Sequence, residues 1–135
     1  MLNNDYMIDL NWYQTLNHPF LTPPAWIFPP AWVTLYTLSF ISLIIFVAKK
    51  TEKSKLWGYV LFFAQLVLNF MWTPIFFGLH KVFWALIIII ALDILVFYNI
   101  KEFFIVSKKS AYFLIPYFLW IIFATYLNLG ILILN

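Results

Sequence analysis

Four stretches of the chain, about 26–48, 57–79, 82–104 and 111–134, are long and apolar, and three of the four carry no charged residue at all. A bilayer core about 30 Å thick takes roughly 20 apolar residues per helix, so each stretch is long enough to cross it. Inside a bilayer every backbone N–H and C=O must find its partner within the protein, which leaves α-helices as the reading for segments of this length. The composition agrees. Of 135 residues 65% are hydrophobic and 10% charged, against about a quarter charged in water-soluble domains. The expected fold is therefore all-α: a polytopic transmembrane bundle of four spans, organised as one domain over residues 1–135, with no internal repeat and no long linker.

Charge placement orients the bundle. Lys49, Lys50, Lys53 and Lys55 follow the first span, and Lys101, Lys108 and Lys109 lie between the last two, whereas the opposite face holds only Lys81. By the positive-inside rule, loops 49–56 and 101–110 are expected to be cytoplasmic, with both termini on the other side. Juxtamembrane lysines at this density serve topology, and no nucleic-acid partner is expected. The first 25 residues carry Asp5 and Asp9 and lack the basic start and apolar core of a cleavable signal, so the N-terminus is expected to be retained.

Several chemistries find no residues to run on. Cysteine is absent, which removes disulfides, thiolate nucleophiles and Cys-ligated metals. His18 and His80 stand alone, without a second ligand at helical or turn spacing, so neither a metal site nor axial haem ligation is expected. Glycine-rich phosphate loops, paired catalytic carboxylates and nucleophile triads are missing as well.

The aromatic residues divide into two groups. Trp12, Trp26, Trp57 and Trp84 fall at or just outside span ends, where indoles sit among lipid headgroups. Trp32, Trp72 and Trp120 lie inside spans, where that explanation fails. In the second span Gln65, Asn69, Trp72 and Phe76 recur at helical spacing on one stripe, and Tyr117, Trp120, Ala124 and Asn128, with Leu127 beside them, form another on the fourth. Trp32 and Tyr36 are one turn apart on the first. Given the alternating helix directions, Trp32, Asn69, Trp72, Ala124 and Asn128 share the outer half of the membrane, with Trp120 nearer the middle. Two readings follow: an aromatic small-molecule pocket with a few convergent amides, or amides bridging helices with indoles filling the space between them. Above these stripes, residues 21–32 contain Pro23, Pro24, Pro29 and Pro30. Such a segment is expected to enter the membrane as a stiff extended or kinked lead-in, a lid spanning about 12–31. Asp93 lies near the middle of the third span; it is expected either to be protonated and hydrogen-bonded to a neighbouring helix or to face a wet cavity, near Gln65. No catalytic role is assigned to it.

These residues also carry a resemblance. Trp12-Tyr13 with Leu16, Pro19, Thr22-Pro23-Pro24, Trp26, Trp32 and Leu35-Tyr36 resembles the opening signature of the translocator protein family, the tryptophan-rich sensory proteins (TspO/MBR). Gln65, Asn69, Trp72 and Pro74-Ile75-Phe76-Phe77-Gly78, then Trp84-Ala85-Leu86, resembles its mid-chain motif. Pro116-Tyr117, Trp120, Phe123-Ala124-Thr125 and Leu127-Asn128 resembles its last helix. The three motifs, in order, cover residues 12–128.

The resemblance implies a small membrane bundle, commonly homodimeric, that binds porphyrins or haem and hydrophobic drug-like molecules beneath its first long loop, with no cofactor required. It implies a site including Pro23, Pro24, Trp26, Trp32, Tyr36, Asn69, Trp72, Phe76, Trp120, Ala124 and Leu127, to which the stripes add Gln65 and Asn128. For some bacterial members it implies a light-dependent oxidative breakdown of porphyrin, with Trp32 and Trp120 as participants. Two features depart from the family pattern. Only eleven residues precede Trp12, too few to cross a bilayer, so four spans are expected where the family has five. A second subunit, lipid or an upstream segment would then supply the remaining wall, and a scaffold that has lost its ligand is the third functional reading. Residues 129–135 also lack a Tyr followed by a basic residue, so cholesterol binding is not expected.

Overall fold

The computed structural model describes residues 10–135. Among these residues every regular element is helical. A short helix α1 (Leu10–Gln14) is followed by a loop and a 3-10 turn (Ala25–Ile27) that runs into α2 (Phe28–Ala48). Helix α3 (Leu56–Thr73) continues through a single wide π turn (Pro74–Gly78); α4 (Val82–Val106) and α5 (Lys108–Leu134) complete the bundle. The four membrane-length segments hold 24, 23, 25 and 27 residues, about 35–40 Å each at 1.5 Å per residue, enough to cross the hydrocarbon core.

The expected spans match these segments to within three residues. The largest shift is at α5, which starts at Lys108 rather than 111, because Ser107 caps it: its hydroxyl accepts from the Ser110 N–H at 3.3 Å. Hydropathy places the apolar core of a span; the cap places the helix end.

The proline-rich segment is only partly the extended lead-in that its composition suggests. Pro24 is extended (φ −57°, ψ 145°), but the α-helix is established at Phe28, with Pro29 and Pro30 in its first turn. N–H groups there have no intrahelical acceptor, so proline costs nothing and its fixed φ suits the helix. Phe28, Trp32 and Tyr36 consequently share one face of α2.

In space α2 packs along α5, α5 along α4 and α4 along α3. Small residues permit the closest approach: Ser42 and Ser110 exchange hydrogen bonds to each other's carbonyls at 2.6 and 2.7 Å, with Ala111 fully buried beside them. Helices α2 and α3, consecutive in the chain, meet mainly through side chains. Phe46 points the tip of its ring at Gly58, where an added Cβ would collide with it, and stacks on Phe103 at 4.1 Å. At this lysine-rich end Lys53 and Lys55 donate to the carbonyls of Ile105 and Val47, at 3.2 and 3.0 Å, near the C-termini of α4 and α2.

Candidate ligand pocket beneath the N-terminal loop

At the opposite end, the start of α2, the end of α3 with its π turn, and the last half of α5 diverge around a cavity of about 360 Å³. The stripe Phe28–Trp32–Tyr36 forms one wall, and Trp120, Ala124, Leu127, Asn128 and Ile131 form the wall on α5. The third wall is Trp72, Thr73, Phe76 and Phe77. The π turn, in which the Leu79 N–H reaches back to the Pro74 carbonyl at 2.9 Å, widens the helix so that the consecutive rings of Phe76 and Phe77 both face the cavity. Tyr13 and Ala25 close it from above.

The walls are made of rings held by rings. Trp32 and Trp120 meet edge to face at 6.2 Å and 88°, Trp32 stacks on Tyr36 at 5.6 Å, and Trp72 stacks on Phe76 at 5.2 Å. Polar contacts set their orientations. The Trp72 indole N–H donates to Asn128 Oδ1 at 2.9 Å, and the Asn128 amide donates onward to the Val82 carbonyl at 3.0 Å, joining α3, α5 and the start of α4. Beneath the floor, the Tyr36 hydroxyl donates to Asn69 Oδ1, Asn69 Nδ2 donates to the Tyr117 hydroxyl at 2.9 Å, and that hydroxyl donates to Gln65 Oε1 at 2.6 Å. Among the described residues no charged side chain lines the cavity. A desolvated aromatic chamber of this kind suits a planar apolar body, with a few hydrogen-bonding groups to orient it.

Of the residues expected at the site, Trp32, Tyr36, Trp72, Phe76, Trp120, Ala124, Leu127 and Asn128 meet at the cavity. Gln65 and Asn69 do not line it. They are buried behind Tyr36 as the inner members of the hydrogen-bonded chain, so for these two amides the helix-bridging alternative describes the geometry. Pro23 and Pro24 line a separate recess on the outer side of the loop. Trp26 is 72% exposed and turned away from both. Asp93 is remote from the cavity; its Oδ2 accepts from the Thr125 hydroxyl at 2.6 Å across the α4–α5 seam, the hydrogen bond to a neighbouring helix that was one of its two expected outcomes, with Gln65 playing no part.

Tyr13, Ala25, Phe28, Pro29, Val33, Thr73, Phe77 and Ile131 line the cavity without having been singled out as ligand-site residues. The signal for Phe28 was available once α2 is started one residue before its prolines, since 28, 32 and 36 are successive turns. Tyr13 had no such signal, because it arrives through the loop. Its ring contacts Phe28, Phe76, Phe77 and His18, and burial pushes its phenol up to about 12, so it faces the cavity as a neutral group. Trp12, expected among headgroups, instead stacks on His80 at 4.1 Å and meets Phe76 edge-on at 5.6 Å, which holds α1 on the π turn. Among the described residues no three His, Asp or Glu side chains are close enough to hold a metal ion.

Fold and cavity together define a multi-pass membrane protein with a loop-covered aromatic pocket. The sequence profile of the TspO/MBR family matches residues 3–134. The chain is 42% identical over 128 residues to a tryptophan-rich protein TspO of Archaeoglobus fulgidus, covering 92% of this chain and 80% of that one. It is 36% identical over 126 residues to the protein CrtK of Rhodobacter capsulatus (92% and 78%), and 34% identical over 122 residues to the translocator protein of Homo sapiens (88% and 72%). The chain belongs to the TspO/MBR family, and it is an integral multi-pass membrane protein.

Proposed function

We propose that the protein is a membrane receptor or carrier that binds tetrapyrroles, porphyrin or haem, and similar hydrophobic aromatic molecules in the cavity between α2, α3 and α5. The observation that carries this reading is the convergence of Trp32, Trp72 and Trp120 with Phe76 on one uncharged chamber of about 360 Å³, within the size range of small-molecule sites. A planar π-system gains stacking area and edge contacts from such walls. The chamber lies at the end of the bundle away from the lysine loops, so with those loops cytoplasmic it opens on the opposite side.

Titration with protoporphyrin IX, followed by tryptophan fluorescence, tests the reading. Saturable quenching that disappears in Trp32→Ala and Trp120→Ala is expected; linear, non-saturating quenching in folded protein would overturn it. A photo-oxidative reading draws support from the perpendicular contact of the Trp32 and Trp120 indoles, two electron-rich rings in the wall of one chamber. It requires that bound porphyrin, under light and oxygen, give a new chromophore at a rate that falls in Trp120→Phe. An unchanged rate removes it.

A further inference from the structure

Immediately outside the cavity lies a second recess of about 510 Å³, formed by the loop itself. The two share Tyr13 and Ala25 among their lining residues, so they adjoin at these side chains. Tyr13 is not part of a membrane-spanning helix: it sits on the five-residue α1 and is held by ring contacts. Joining the compartments requires that this buried ring be displaced from Phe28 and Phe77.

The compartments differ in chemistry. The inner one offers aromatic faces. The outer one carries Gln14, His18 and Thr22. The Thr22 hydroxyl is committed to the Pro19 carbonyl at 2.7 Å, which leaves Gln14 and His18 as side-chain donors. His18 packs against the Tyr13 ring at 4.6 Å, and its Nδ1 is buried with no hydrogen-bond partner. An unpaired buried imidazole nitrogen is costly and marks a place where a partner from outside the chain belongs. For that nitrogen to meet a ligand in the recess the imidazole must turn about χ2, and in the Nδ1–H tautomer it then donates.

We infer that the recess and the cavity are two compartments of one site, built for an amphiphilic planar aromatic whose ring lies among the indoles and whose carboxylate arm passes Tyr13 and Ala25 to accept hydrogen bonds from His18 and Gln14. This rests on the proposed aromatic-ligand reading and adds a selectivity that the inner chamber, having no charged wall, lacks.

The test compares protoporphyrin IX with its dimethyl ester, which keeps the ring and removes the anionic arms. The wild-type protein is expected to bind the acid about tenfold more tightly than the ester, as a hydrogen bond to a charged acceptor provides. His18→Ala abolishes that preference, and His18→Asn, whose amide nitrogen replaces Nδ1, restores most of it. Equal binding of acid and ester by the wild type, or a preference that survives His18→Ala, overturns the two-compartment site while leaving the aromatic pocket intact. Failure of both compounds to bind instead removes the reading on which it rests. His18 lies in the loop, and tryptophan fluorescence and helical circular dichroism verify that each variant retains the bundle.

Discussion

Tyr117 joins two buried amides: it accepts from Asn69 and donates to Gln65, while Asn69 in turn accepts from Tyr36 at the pocket floor. Removing its hydroxyl leaves Gln65 Oε1 and Asn69 Nδ2 buried without partners. Tyr117→Phe should therefore lower stability by about 0.6–2 kcal/mol, the range for interhelical hydrogen bonds in membranes, as measured by thermal unfolding in detergent. Ligand affinity should change little, because Phe retains the ring behind the floor. Trp72→Phe acts differently. It keeps an aromatic wall but strips Asn128 Oδ1 of its donor, and should weaken ligand binding and stability together. At this scale the sequence exposed which residues are unusual but not which ones touch. The stripe of Gln65, Asn69, Trp72 and Phe76 is readable from helical period, yet the period says nothing of where along the helix the cavity ends, with Gln65 and Asn69 bonded to Tyr117 behind it and Trp72 and Phe76 lining it. Asp93 is another case. Its isolation on its own helix is plain, while the identity of Thr125 as its partner depends on how α4 and α5 are turned.

Among the elements, the loop between α1 and α2 is tied to the end of α5 at several points. Asn17 and Asn135 exchange hydrogen bonds, the Tyr126 hydroxyl donates to the Phe20 carbonyl at 2.7 Å, and Pro19 seats on Gly130, where an added Cβ would come within 2.6 Å of its ring. Gly130→Leu should expel Pro19 and loosen the loop without disturbing the spans, seen as faster proteolysis in residues 15–24 and faster ligand dissociation. Tyr13 gives the same element a pH dependence. Its phenol is raised from 10 to about 12 when docked, so the docked form holds its proton over the window in which the free loop loses it. Docking is therefore unaffected below pH 10 and weakens progressively from 10 to 12. Tyr13→Phe should flatten that slope in a proteolysis assay run across the window. Sequence reading found this loop through its prolines but treated all four alike. Pro24 is extended at the recess, whereas Pro29 and Pro30 begin α2, because proline is as compatible with a helix's first turn as with an extended chain. The π turn, too, leaves no periodic signature, and it is what brings Phe77 to the cavity.

For the whole molecule, hydropathy fixes far more than the local packing does. Four apolar runs became four spans with ends within three residues, since length and charge alone decide what a bilayer admits. Sidedness is tested conveniently because the chain has no native cysteine: a membrane-impermeant thiol reagent should label Ser54→Cys only from the cytoplasmic face and Leu79→Cys only from the other. The central claim, that an aromatic ligand occupies the chamber between α2, α3 and α5, calls for a variant that fills the chamber and spares every indole. Ala124 lines it from α5 and is 6% exposed, so Ala124→Phe places a ring in the ligand's space. With the dissociation constant for protoporphyrin IX measured by tryptophan quenching, the account predicts at least about tenfold weaker binding in Ala124→Phe, equivalent to about 1.4 kcal/mol, with helical content unchanged. Wild-type affinity in that variant would contradict it.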